Sequence, residues 1–168
     1  MDEFLFPILR YAHILGAIIT FGPSFVYILL SRQSRAMPQG GYFAAVLGRS
    51  IQRRIIIPGA IIQGLTGAGM VWILAARGVD LTSSAYHWLW PAIVLYLVMV
   101  AFAIFIQAPN IERLVGITKA MSTPGAVAPG GPPVELLALS ARLARGGSFL
   151  SLLLVVVVFL MAIKPTIG

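Results

Sequence analysis

Residues 55–76 read IIIPGAIIQGLTGAGMVWILAA, with no charged position. As a helix rising 1.5 Å per residue this segment is about 33 Å long, enough to cross the roughly 30 Å hydrocarbon core of a bilayer. Three further apolar stretches have comparable reach: 4–30, about 88–106 and about 147–163. The last contains Val155–Val158, a run that would favour a strand in water. Lipid offers no partners for open backbone groups, so the expectation there is also helix. The sequence therefore predicts an all-α fold: an integral membrane four-transmembrane-helix bundle forming a single transmembrane domain over 1–168.

Composition agrees. Of 168 residues, 59% are apolar and 10% charged, against about 25% charged in a soluble domain. The mean hydropathy is +0.95. A soluble domain of ~150 residues still exposes about 30% of its unfolded surface, and this chain has too little polar surface to cover that area. Soluble-enzyme, disordered and fibrous readings are excluded. The chain contains no cysteine, which removes disulfides, thiolate metal sites, iron–sulfur clusters and cysteine nucleophiles. The opening Asp2 and Glu3, with no basic stretch before a long apolar run, argue against a cleavable signal.

Basic residues fall unevenly between the spans. Arg32, Arg35, Arg49, Arg53 and Arg54 lie between spans one and two, and Arg113, Lys119, Arg142 and Arg145 between spans three and four. Only Arg10, Arg77 and Lys164 belong to the other side. This nine-to-three division predicts two long basic cytoplasmic loops and both termini outside. The net charge of +7 reads as topology plus attraction to anionic membrane lipid, with no nucleic-acid partner. In the first loop, Tyr42, Phe43, Val46, Leu47, Ser50 and Ile51 share one helical face, which predicts an interfacial amphipathic helix feeding span two. Residues 122–133, STPGAVAPGGPP, predict irregular chain, and 134–145 a helix leading into span four. Ser83 or Ser84 is the expected N-cap in the short external connection.

Polar groups inside lipid are costly, so their positions are informative. Arg10, His13, Ala17, Thr20, Ser24, Tyr27 and Ser31 recur in steps of three and four along span one. Such a stripe faces other helices. Span two offers Gly59, Gln63, Thr66 and Met70, flanked by the small residues Ala60, Gly64, Gly67 and Ala68, which permit close approach of a helix or a flat ligand. Span three contributes Tyr96, Met99, Ala103 and Gln107. Pro23 predicts a kink in span one. Pro7, Pro58 and Pro91 read as lying near helix starts, where proline is harmless.

His13 is the focal residue. It either donates to a carbonyl across the bundle, ligates haem b as a neutral imidazole, or takes part in proton relay or metal transport. Arg10 lies one turn above it, and antiparallel packing is expected to bring Met70 to its depth. His87, beside Tyr86, Trp88 and Trp90, reads as an aromatic-belt residue. Arg10, Arg77 and Lys164 are snorkelling cations or partners of haem propionates. The five acids assemble no paired carboxylates, and neither a Ser–His–Asp set nor a phosphate loop is present.

Three stretches carry a family resemblance: HILGAIITFGP (13–23), RRIIIPGAIIQGLTGAGMVWIL (53–74) and FLMAIKP (159–165). Through them the chain resembles the copper resistance protein D-like superfamily of four-helix bacterial membrane proteins, nearest its branch of predicted integral membrane proteins of unknown function. It is more distantly similar to the four-helix protoporphyrinogen oxidase of haem synthesis. The resemblance implies a multi-pass protein of the bacterial inner membrane and a haem b iron, the metal in question, ligated by His13. Cofactor contacts would then come from His13, Arg10, Met70 and Gly67. The oxidase also uses a lysine early in span three; the corresponding stretch here, HWLWPAIVLYL (87–97), has none. Two classes follow: a haem-binding, redox-associated membrane protein, or a non-catalytic accessory subunit that packs against another membrane protein or a second copy.

Overall fold

The structure, a computed structural model, describes residues 2–23, 40–122 and 133–165. Helix α1 spans Asp2–Phe21. Helix α2 spans Gly41–Ile51 and runs through a π turn, Gln52–Ile56, into α3, Ile57–Ala76. After a short connection containing a 3-10 turn at Ser84–Tyr86, α4 spans Leu89–Phe102. A second π turn, Ala103–Gln107, joins it to α5, Ala108–Met121. Helix α6 spans Val134–Ile163. The described residues contain no strand. Four continuous helices, 4–21, 41–76, 84–121 and 134–163, are long and apolar enough to cross a membrane.

Antiparallel α1 and α3 form one packed pair, and α4 and α6 form the other. The pairs are joined at one end, where α2 and α6 both pack on α5. At the opposite end the Arg77 guanidinium lies 5.7 Å from the Phe6 ring centre, and the Lys164 ammonium 5.6 Å from that of Trp88. Span four exposes Leu152, Val155, Val158 and Phe159.

Several boundaries differ from the sequence expectation. Residues 24–30 of span one lie outside the described residues, as do Ser24, Tyr27 and Ser31, and the course of any kink beyond Pro23. The other spans are longer than their apolar cores, because hydropathy marks where lipid begins and not where helical hydrogen bonding begins. The segment expected as an interfacial helix feeding span two does run into it, but with a different buried face. Its buried positions are Ala45, Gly48 and Gln52, while Phe43 is 68% exposed. Small residues let α2 lie close against Ile111, Val115 and Thr118, the buried positions of α5. Helix 134–163 runs unbroken into span four, as predicted.

Pro58 is the second residue of α3, as expected, although helical winding already precedes it through the π turn. Pro7 is not at a helix start but sits inside α1. A proline inside a helix lacks an amide donor and crowds the carbonyl four residues back. For Pro58 and Pro109 those carbonyls belong to Arg54 and Phe105. Both fall inside the π turns, whose wider winding relieves the crowding. The two turns are linked directly: Gln52 Nε2 donates to the Ala103 carbonyl at 3.2 Å.

Ser83 does occupy the N-cap position of the 3-10 turn, but makes no side-chain cap bond. Its hydroxyl donates to the Asp80 carbonyl at 2.7 Å.

Candidate functional site

The polar stripe of α1 meets Gly59, Gln63, Thr66 and Gly67 of α3. A side chain added at Gly69 would meet Leu9 Cδ1 at 3.1 Å; at Gly67, His13 Cε1 at 3.2 Å; at Gly59, the Thr20 hydroxyl; and at Gly16, Gln63 Oε1 at 2.9 Å. Glycine is needed at these points because the neighbouring helix occupies the space of a Cβ. The interface carries polar atoms out of reach of solvent: Thr20 is 1% exposed and Gln63 5%. Thr20 Oγ1 and Gln63 Oε1 are buried without a hydrogen-bond partner among the described residues.

His13 is half-buried in this seam. Its Nδ1 lies 2.9 Å from Thr66 Oγ1. The same hydroxyl is 3.0 Å from the Ile62 carbonyl and 3.1 Å from that of Gln63. A hydroxyl has one hydrogen, which either carbonyl or an unprotonated Nδ1 can accept. When it goes to the helix backbone, the hydroxyl lone pair accepts from His13 Nδ1–H. That arrangement puts the ring proton on Nδ1 and leaves the Nε2 lone pair available. An imidazole fixed through Nδ1–H is the usual orientation of a metal-ligating histidine.

The register places Thr66 and Gly67 at the level of His13. Met70 lies about one turn nearer the Arg77 end, level with Leu9. The expected match in depth between His13 and Met70 is therefore corrected: antiparallel packing brings a hydroxyl and a glycine to the histidine, with the thioether a turn away. Arg10 is exposed. Of the small stripe, Ala60 is buried, Gly64 and Gly67 meet side chains of other helices, and Ala68 is exposed. Tyr96 crosses from α4 to lie over Gly64 and donates its hydroxyl to the Ala60 carbonyl. It bridges the two helix pairs, and the span-three seam expected from Tyr96, Met99 and Gln107 is partly or fully buried.

His87 lies outside the seam, with Nε2 donating to the Thr82 carbonyl at 3.0 Å. Trp88 and Trp90 donate to carbonyls of the same connection, those of Ala85 and Leu81. No cluster of three or more His, Asp or Glu that could hold a metal ion occurs among the described residues.

Sequence reasoning missed the ion pairs at the other end. Glu112 on α5 accepts from Arg53 Nε at 3.0 Å and from Arg49 Nη1 at 3.5 Å. The clue was available: Arg49 and Arg53 stand four apart on a helical pattern, and Glu112 is one of only two acids in the basic segments.

A family model described as "Predicted integral membrane protein (DUF2269)" matches residues 7–165. No curated protein and no solved structure gives a match.

Proposed function

The chain belongs to the DUF2269 family of predicted integral membrane proteins, and we propose that its α1–α3 seam binds haem b through His13 Nε2 in a redox-associated role. The observation that carries this reading is the Thr66 hydroxyl on His13 Nδ1, which orients the ring and leaves Nε2 as a ligand. The fit extends to one histidine that would hold the group. His13 is half-buried among apolar helices, and Gly67 lets α3 pack directly against the ring edge at Cε1. Met70 stands a turn out of register and supplies no matching ligand at that level. When bound at such a histidine, haem b supplies one-electron chemistry.

The residues have separate tasks in this reading. Thr66 holds the tautomer and ring plane. Gly67 and Gly16 keep the two helices close enough to exclude water from the imidazole. Arg10, Arg77 and Lys164 belong to the end nearer His13 and provide cations for carboxylates there. The basic end faces the cytoplasm of a bacterial inner membrane, a placement supported by the nine-to-three charge division and by the sequence resemblance. Lys119→Cys is then shielded from an impermeant maleimide in intact cells, while Ser84→Cys is labelled; the reverse pattern overturns the orientation.

The experiment that tests the site is an absorption spectrum of protein expressed with ample haem. A Soret band is expected. His13→Ala abolishes it, Thr66→Val shifts or weakens it, and His87→Ala leaves it intact. A wild-type protein that stays colourless under these conditions returns His13 to a structural hydrogen bond and favours the accessory-subunit reading.

A further inference from the structure

The two ends of the bundle differ in charge. At the end holding α2, α5 and the start of α6, the described residues include Arg49, Arg53, Arg54, Arg113, Lys119, Arg142 and Arg145 against only Glu112 and Glu135. At the other end Arg10, Arg77 and Lys164 face an equal number of acids in sequence: Asp2, Glu3 and Asp80. The excess positive charge is confined to one end.

There it is organised around a pocket. Arg49, Ser50, Arg53 and Arg54 line an open cavity of about 350 Å³. Glu112 bonds to Arg49 and Arg53 and so fixes two guanidinium groups. Arg54 is exposed, and no ion pair joins it to any described carboxylate. One carboxylate against three guanidinium groups leaves the pocket short of about two negative charges, and guanidinium forks match phosphate oxygens in pairs. Ser50 adds a hydroxyl. From this pocket α3 runs into the bilayer with Ile61 and Leu65 exposed, at 53% and 68%, one turn apart. A phosphate seated among the arginines would have an apolar track below it.

We infer that the Arg49–Ser50–Arg53–Arg54 pocket is a binding site for the phosphate of an anionic lipid headgroup, with the acyl chains lying along Ile61 and Leu65. The apolar track favours lipid over a free phosphate ion. The site is independent of any haem at His13, which lies toward the opposite end.

The test is lipid binding to the full chain in a zwitterionic detergent, read by native mass spectrometry and by the thermal midpoint. Phosphatidylglycerol is expected to bind and stabilise, and phosphatidylcholine is not. Arg54→Gln weakens phosphatidylglycerol by about fivefold, the loss expected for one cation at a membrane surface. Arg145→Gln removes the same charge from the same end outside the pocket and leaves affinity near wild type. Arg54→Lys keeps the charge needed for insertion but loses the planar fork, and it also binds more weakly than wild type. Equal losses in Arg54→Gln and Arg145→Gln would reduce the effect to diffuse attraction and overturn the site. Wild-type affinity in both Arg54 variants would do the same. If inorganic phosphate alone reproduced the full stabilisation, the lipid assignment would fall.

Discussion

Between α1 and α3 the closest approaches run through four glycines, Gly16, Gly59, Gly67 and Gly69, whereas α6 meets the third span through the Phe102 and Phe149 rings, whose centres are 5.0 Å apart, and through a single glycine, Gly146, against Gln107. Lipid tails are as apolar as leucine, so neither pair gains a hydrophobic driving force within the bilayer. The first pair gains from backbone proximity and a directional bond, His13 to Thr66. The second gains from ring contact, which tolerates sliding. A glycine seam fixes register because each glycine has one partner atom that fits. An aromatic contact fixes distance and leaves register to other groups, here Gln107 Nε2 donating to the Leu143 carbonyl at 3.3 Å.

The largest expected effect breaks the glycine seam. Gly59→Leu drives a side chain into Thr20 and should cost about 3 kcal/mol, the upper part of the overpacking range. A lowered thermal midpoint in detergent and new protease access to α1 would report it; a variant as stable as wild type would show that the helices do not meet there. On the other pair, Phe102→Ala should cost about 1 kcal/mol, the scale of an aromatic pair, with protease resistance of α1 unchanged. Equal protease sensitivity in both variants would mean that the pairs unfold as one unit. Thr66→Val removes the cross-helix hydrogen bond while keeping the side-chain shape. Intramembrane hydrogen bonds average about 0.6 kcal/mol, so its midpoint should fall less than that of either packing variant.

The smallest effect lies in the connection between the pairs. Asp80 Oδ1 accepts from the Thr82 hydroxyl at 2.6 Å and the Thr82 amide at 2.9 Å. These bonds hold the carboxyl below its ordinary value of 3.8. A carboxyl whose value is depressed by folding contributes stability above its unfolded value, and loses it as pH falls through the folded one. The wild-type midpoint should therefore decline slightly as pH falls below about 4, and Asp80→Asn should flatten that part of the profile. An unchanged slope would assign the acid sensitivity to other carboxylates.

The glycine seam was legible in the sequence because polar and small residues are rare enough in these spans for their three-and-four spacing to stand out. His13, Thr20, Gln63 and Gly67 could be placed on facing stripes on that basis. Depth was harder: a stripe gives direction around a helix but not the offset between two helices, and Met70 was placed a turn too close to His13. The basic segments were less legible still. Arg49, Ser50 and Phe43 look amphipathic on a helical wheel, and only packing against α5 reveals that Ala45 and Gly48 are the buried positions. The π turns left no periodic signature: neither the polar-to-apolar change at Gln52–Ile56 nor the mostly apolar run Ala103–Gln107 shows the one added residue.

That added residue has an angular consequence. Successive residues of an α-helix advance by about 100° around the axis, so a π turn offsets the azimuth of everything before it by roughly one residue. In the 41–76 helix the offset at Gln52–Ile56 sets two bearings at once: Arg49 and Ala45 toward α5, and Gly59 and Gly67 toward α1. Winding these residues as ordinary α-helix, with the chain length unchanged, would rotate one half against the other by about 100°. The 41–51 half could then keep its bearing on Glu112 only if the 57–76 half turned its glycines away from His13. The turn is a phase shifter, and the chain's length between Ala45 and Gly59 is part of its specificity.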